Sequence, residues 1–155
     1  MKNSGQKIVA RNRKASHDYF LEDFAEAGIV LLGTEIKSIR AGQVSLKEAY
    51  VRLDGQEAFL VNAHIAPYNP ASHFNHDPRR PRKLLLHKRE IRRMHEKVSQ
   101  RGYTIVPTKM YLSKGRAKVE IATARGKRQY DKRKEIAKRE IDREIERELA
   151  MRRKQ

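Results

Sequence analysis

The side chains whose types and spacing suggest chemistry are cations, amides, imidazoles and aromatic rings in short mixed runs. Asn12-Arg13-Lys14, followed by His17 and Tyr19, offers charges for phosphates, an amide and an imidazole for base edges, and a ring for stacking. That mixture suits single-stranded or looped RNA better than a duplex groove, because an unpaired base exposes its face and its hydrogen-bonding edges together. Arg79-Arg80-Pro81-Arg82-Lys83 is a dense run of potential phosphate contacts. Gly126-Lys127-Arg128-Gln129-Tyr130-Asp131-Lys132-Arg133 sets an aromatic ring inside a cationic run, where Tyr130 is suited to stack on a base. The plainer alternatives are a solvated loop for the second run and an ordinary basic tail for the third.

Catalytic patterns are missing beside these. The 8 glycines are scattered and none gives dinucleotide or P-loop spacing, so nucleotide hydrolysis is not expected. His73-x-x-His76-Asp77 has the outline of a metal cluster but sits in a proline-rich stretch with no third ligand near it. His64 and His95 read as a strand-face and a core-edge histidine. A metal-dependent nuclease needs acids gathered around the ion, whereas the acids here gather in residues 18–26 and in the last 30 or so residues. No catalytic residue, metal or cofactor is expected.

Behind the basic runs stands a charge surplus. The 155 residues carry 36 Lys and Arg against 19 Asp and Glu, a formal net charge of +17. Solubility alone asks for a magnitude of about 2–8, so this surplus points to a polyanion, and nucleic acid is the commonest one. With Cys at 0, disulfide frameworks, thiolate zinc sites and cysteine nucleophiles all drop out. No run approaches the roughly 20 apolar residues of a spanning helix, and the opening MKNSGQKIVARNRK lacks a signal-like apolar stretch. A cytoplasmic protein with no membrane partner is expected. Asp18, Glu22, Asp23 and Glu26 invert the charge locally, which gives the molecule a binding face and a back.

The elements that must position these groups follow from pattern. A basic arm over residues 1–14 leads into a half-buried extended segment from Asp18 to about Gly28. Thr34 as N-cap, Ile36 and Ile39 at i, i+3 and Gly42 as stop predict a short helix whose outer face carries Lys37 and Arg40. Ala49–Leu53 and Ala58–Ile65 flank Asp54-Gly55 and predict a hairpin, with Phe59, Val61, Ala63 and Ile65 on one face and Asn62 and His64 on the other. Pro67 to Pro81 reads as a long irregular loop. From about Lys88 to Arg101, Ile91, Met94, His95 and Val98 predict a helix with one core face, while Arg89, Arg93, Lys97 and Arg101 form a stripe with little to neutralise it. Two strands, roughly Tyr103–Leu112 and Ala117–Thr123, join at Lys114-Gly115, with Pro107 as a break or an edge position.

Together these predict a mainly β fold with short helices, an OB-fold-like antiparallel β-barrel over residues 1–124, with an open α+β sandwich as the alternative. Residues 125–155 hold 13 Lys and Arg and 7 Asp and Glu, with a narrow stripe of Ile141, Ile145 and Leu149. They form a basic C-terminal tail expected to be disordered alone and helical when bound.

Four blocks carry a resemblance. Asn-Arg-Lys-Ala-x-His-x-Tyr-Phe at 12–20, Glu-Ala-Gly-Ile-Val-Leu-x-Gly-x-Glu-Ile-Lys-Ser-Ile-Arg-Ala-Gly at 26–42, Arg-Lys-Leu-Leu-Leu-His at 82–87 and Gly-Lys-x-Tyr-Asp-Lys-Arg spread over 126–133 closely resemble the small protein B family, the SsrA-binding proteins. The resemblance spans about residues 6–135 in order. It implies a non-enzymatic adaptor of trans-translation with an OB-type barrel that binds the elbow of the tRNA-like domain of transfer-messenger RNA. In that role the body stands in for an anticodon arm, and the tail enters the decoding centre of the small ribosomal subunit and the empty mRNA channel. Alanyl-tRNA synthetase and the GTP-bound elongation factor are implied as indirect partners, and a monomer is expected. Carried over by position, the RNA-facing set is Asn12, Arg13, Lys14, His17, Glu26, Lys37, Arg40, Lys83, Leu85, His87 and Lys88. The ribosome-binding tail set is Gly126, Lys127, Tyr130, Asp131, Lys132 and Arg133. A general ribosome-associated OB-fold RNA-binding protein is the alternative.

Overall fold

Strict alternation builds the longest ladder. Ala117, Val119 and Ile121 of one strand are buried while Lys118 and Glu120 stand half-exposed between them. In the computed structural model, which describes residues 5–69, 75–127 and 129–153 with side chains outside 129–136, this strand pairs with its predecessor across Lys114-Gly115. Both turn residues have positive φ, 51° and 76°. That geometry matches the right-handed strand twist, and glycine adopts it without a Cβ penalty.

The order along the chain is β1 (Gln6–Arg11), α1 (Arg13–Asp18), β2 (Tyr19–Ile29), α2 (Gly33–Arg40), β3 (Val44–Ser45), β4 (Tyr50–Asp54), β5 (Glu57–Val61), β6 (His64–Ile65), β7 (Arg82–Leu85), α3 (Lys88–Val98), β8 (Tyr103–Ser113), β9 (Arg116–Gly126) and α4 (Gln129–Arg153). The main sheet runs β1-β8-β9-β2-β7-β5-β4, and β3 pairs with β6 in a second small sheet. Strand β4 packs back against β8, so the sheet curls on itself as a barrel does rather than lying open. Ile39, Leu60, Ile65, Met110, Val119 and Ile121 are fully buried inside it. Residues 1–125 form one compact unit and 126–155 another.

Several local expectations need correction. The helix α2 begins at Gly33, and its first turn is closed by Glu35, whose Oε1 accepts from Leu32 N–H at 2.8 Å. Thr34 is therefore not the cap; its hydroxyl meets His76 Nδ1 at 2.8 Å. In the second hairpin strand the core face is Ala58 and Leu60, then Ala63 and Ile65, because Asn62 at φ 66° breaks the alternation between β5 and β6. Phe59 and Val61 thus face outward. Pro107 is paired with Ile121 of β9 but lies beyond the end of the β1 ladder, which stops at Lys109, so it does occupy a local edge. It sits where the register slips between Pro107 and Lys109, the kind of bulge where a residue without N–H is tolerated within a sheet. The stripe on α3 is partly neutralised: Lys97 Nζ lies 3.6 Å from Glu22 and 3.9 Å from Asp23. The helix closes at Val98, short of Arg101.

Within the basic run at 79–83, Arg80 and Arg82 meet a carboxylate while Arg79 and Lys83 stay exposed. Glu35 and Arg82 are both fully buried. Arg82 Nε donates to Glu35 Oε2 at 2.5 Å, and Arg80 donates to Oε1 from Nη2 at 2.5 Å and to Oε2 from Nε at 3.1 Å. Arg82 also donates to the carbonyls of Ala63 at 2.9 Å and Pro78 at 3.1 Å. Two of the presumed phosphate ligands are consequently internal structure. The proline-rich stretch is anchored on its C-terminal side by the same contacts and by Ile65 N–H to Pro78 O at 2.9 Å; His73 lies outside the described residues. His76 spends both ring nitrogens inside the protein, on Thr34 and on the Ile65 carbonyl at 2.9 Å.

Burial pushes the Glu35 carboxyl upward, but hydrogen bonds from Arg80, the Leu32 N–H and Arg82 outweigh it, and the group titrates below the ordinary carboxylate value. A carboxyl depressed in the folded state stabilises above its unfolded value of about 4.3, and that contribution is lost as pH falls through the folded value. Glu35→Gln leaves Arg82 buried without a counter-charge and is expected to cost about 3–5 kcal/mol in urea unfolding at neutral pH. The gap to the wild type should begin to narrow below a pH of about 4 and close as the pH falls through the depressed folded value, where the wild type loses the same charge.

Candidate nucleic-acid interface

Strand register assembles the first group of candidate residues. Gly28 of β2 pairs with Leu85 of β7, and Ile29 with Leu84. Leu84 is buried, so Leu85, Lys83 and, across the ladder, Gly28 and Glu26 occupy the outer face. Leu85 is 55% exposed. It lies flat over Gly28, where an added Cβ would meet Leu85 Cβ at 3.3 Å. A glycine here lets an apolar side chain spread on the surface. Glu26 is held from behind by a hydrogen bond from the buried Tyr111 hydroxyl, and Lys118 Nζ stands 4.0 Å away. Burial first, then the Glu26 contact, pushes the Tyr111 phenol upward, so it remains a donor. His87 is exposed as the N-cap of α3, its N–H donating to Glu90 Oε1 at 3.1 Å, and exposed Lys88 follows.

Register extends this face beyond the expected residues. Lys83 pairs with Phe59 and Phe59 with Arg52 across β7, β5 and β4. The Arg52 guanidinium lies 5.5 Å from the Phe59 ring centre, and Lys83 Nζ is 3.7 Å from Glu57. The outer sheet face therefore mixes a carboxylate, two cations, an aliphatic and an aromatic side chain, the range of contacts an unstacked base and its phosphates require.

A second group sits on α1, which packs on β2 and β8. Arg13 is exposed, Lys14 Nζ pairs with Glu48 at 2.8 Å, and His17 Nδ1 meets Asp18 at 2.9 Å. Asn12 differs from these neighbours: it is 5% exposed, its Oδ1 accepts from Ala15 N–H at 3.2 Å and its Nδ2 donates to Pro107 O at 2.9 Å. One lone pair of Oδ1 and one N–H of Nδ2 are engaged in capping α1 and closing the β8 bulge, which gives Asn12 a structural task. Beside α1 a cleft of about 430 Å³ is lined by Lys14, Tyr19, Lys47 and Tyr50 among others. The third group, Lys37 and Arg40 on α2, is exposed; Lys37 Nζ lies 5.3 Å from the Tyr68 ring centre and Arg40 Nη2 is 3.5 Å from Gly115 O.

With this geometry established, residues 9–151 match the SmpB protein family. The chain belongs to the SmpB family. It is 58% identical over 148 residues to the SsrA-binding protein of Roseiflexus castenholzii, covering 95% of this chain and 94% of that one. It is 54% identical over 143 residues to the SsrA-binding protein of Caldanaerobacter subterraneus subsp. tengcongensis, covering 92% and 90%. A chain in the solved structure "tmRNA-SmpB: a journey to the center of the bacterial ribosome" superposes with a TM-score of 0.67 at 48% identity, covering 81% of this chain and 92% of that one.

In this SmpB-family chain the tail residues begin at the end of β9, where Gly126 is exposed and Lys127 half-exposed. Tyr130, Asp131, Lys132 and Arg133 fall within α4. Further along that helix Ile141, Ile145 and Leu149 are 56%, 51% and 47% exposed, so the apolar stripe is uncovered. No helix among the described residues is long and apolar enough to cross a membrane. Tyr111, Phe59 and Arg52 escaped the sequence reading. Only the alternation in β5 and β8, combined with a register that sequence does not specify, would have found them. Asn12→Ala is expected to cost about 1–2 kcal/mol of stability, the loss of a cap and a buried hydrogen bond, whereas Arg13→Ala should stay within about 0.5 kcal/mol. Thermal unfolding of both variants checks this, and equal midpoints would contradict a positioning role for Asn12.

Proposed function

We propose that this protein is a cytoplasmic, non-enzymatic adaptor of trans-translation. Its body binds the tRNA-like domain of transfer-messenger RNA, and its C-terminal tail occupies the decoding centre and empty mRNA channel of a stalled ribosome. The observation that carries the proposal is the outer face of β2 and β7, where alternation from the Gly28–Leu85 pair turns Glu26, Lys83 and Leu85 to one side on a chain of the SmpB family. Cations meet phosphates, Glu26 accepts from base donors, the His87 ring takes a base edge or a 2′-hydroxyl, and Leu85 packs on an unstacked base.

Arg13, Lys14 and His17 on α1, with Lys37 and Arg40 on α2, supply further RNA contacts, while Asn12 positions α1 rather than touching RNA. The tail set Gly126, Lys127, Tyr130, Asp131, Lys132 and Arg133 acts inside the ribosome. The density of charge in α4 and its uncovered stripe support a tail that is disordered alone and becomes helical where it is bound. Residues 1–124 and 125–155 then divide the labour between RNA capture and ribosome engagement. Alanyl-tRNA synthetase and the elongation factor act on the same RNA without needing a site on this chain, and one copy suffices for elbow recognition.

Replacing Lys83 and His87 together by Ala is expected to weaken binding to the tRNA-like domain by about 1.5–3 kcal/mol with the thermal midpoint unchanged, because both side chains are exposed. Unchanged affinity at fixed salt counts against this face. Deleting residues 126–155 should leave RNA affinity close to normal and abolish peptide tagging in a reconstituted translation system. Tagging that survives the deletion contradicts the role of the tail.

A further inference from the structure

Seven cations of the folded unit pair with a carboxylate among the described residues. Lys14 pairs with Glu48 at 2.8 Å, Lys109 with Glu120 at 3.3 Å, Lys97 with Glu22 at 3.6 Å and Lys83 with Glu57 at 3.7 Å. The outer face of α3 gathers three cations that have no such pair on one side of a single helix. Arg89, Arg92 and Arg93 are exposed, and among the described residues none has a carboxylate within the 4.0 Å reach of an ion pair. Ile91 and Met94 turn the opposite side of the helix into the core, which projects the three guanidiniums outward together. Glu90 is spent on the His87 N–H at 3.1 Å, and exposed Glu96, one turn beyond Arg92 and Arg93 on the same face, is in no ion pair with them among the described residues.

Such a stripe is unfavourable by itself. Arg89 and Arg93 are four residues apart, as are Lys88 and Arg92, and like charges at that spacing destabilise a helix by a few tenths of a kcal/mol per pair. An anion with several charges in a row removes the penalty. Lys88 to Arg93 spans about 7.5 Å of helix, and the stripe starts directly after His87 and Leu85. Beside it a cleft of about 210 Å³ between the β4–β5 turn and α3 is lined by Gln56, Lys88 and Arg92. The cleft is fixed by His95, whose Nε2 meets Gly55 O at 2.8 Å. Gln56 adds an amide suited to a ribose hydroxyl. A lipid surface fits less well, because α3 keeps its apolar residues for the core and has none on this face.

We propose that Arg89, Arg92 and Arg93 form a phosphate-backbone track that continues the β2–β7 interface along α3 and grips the same RNA beyond the bases that Leu85 and His87 meet. This rests on the functional reading above. The track contributes charge, not base recognition, so its signature is the salt dependence of binding. Each phosphate contact contributes about 0.7–0.9 to the slope of log K against log salt.

The test measures binding of the full chain to the tRNA-like domain of transfer-messenger RNA across a salt series. In the triple variant R89A/R92A/R93A the slope should be shallower by about 2, and affinity at a salt of about 0.15 M should fall roughly tenfold or more. The lysine triple R89K/R92K/R93K should recover the slope, since a point charge suffices for a phosphate. The single variant R92A, shallower by about 0.7, repeats the test with less disturbance. An unchanged slope in the alanine variants overturns the proposal, whether affinity is retained or lost. So does a loss confined to vesicles containing phosphatidylserine, which would make the stripe a lipid contact. Equal binding of the wild type to bulk tRNA would instead defeat the functional reading, while the slopes would still report whether α3 meets phosphate.

Discussion

One buried carboxylate holds together the parts of this protein that must be in register. Glu35 accepts from Leu32 N–H, Arg80 and Arg82 at once. These donors belong to the first turn of α2, the segment before β7 and β7 itself. Ion pairs out of water are poor stabilisers, since desolvation offsets most of the attraction. Their virtue here is geometric: a carboxylate and a guanidinium with all directions filled admit one arrangement, and no buried polar side-chain atom is left without a partner among the described residues. With Arg82 pinned inward, alternation along β7 turns Lys83 and Leu85 outward.

That arrangement explains how a chain of net charge +17 avoids being a featureless cation. Internal guanidiniums are consumed by Glu35 and by backbone carbonyls, and several surface lysines are matched one to one with carboxylates. The matched pairs are exposed and separately weak, yet they lower the field over much of the barrel. What stands out against them is a face where Glu26, held by Tyr111, lies next to an exposed leucine and a lysine, with an unpaired arginine stripe beyond. On the proposed reading, phosphate contacts and base contacts come from adjacent but different residues.

How much of this was legible in the sequence varies with the range of the interaction. The β8–β9 hairpin, the β4–β5 turn, the core face of α3 and the family blocks are all local patterns, and each could be read directly. Helix α1 was not seen, because six residues give barely one turn of periodicity and its cap, Asn12, reaches across 95 positions to Pro107. The same contact gives Asn12 a structural task that its place in a basic run does not announce. Arg80 and Arg82 looked like phosphate ligands because a run of cations reads the same whether it meets solvent or a carboxylate 45 and 47 residues away. At Asn62 a single positive φ flipped the inward face, which no alternation rule foresees. In each case the missing information was a tertiary partner.

A surface that recognises a particular RNA shape differs from a mere cation in which RNAs can displace its ligand. The most direct measurement is a competition assay at near-physiological salt, with the tRNA-like domain of transfer-messenger RNA bound to the purified full chain and bulk tRNA added in excess. Shape recognition gives a preference on the order of a hundredfold, about 2.7 kcal/mol, that survives a rise in salt. Equal competition by bulk tRNA would contradict it and leave net charge as the source of binding.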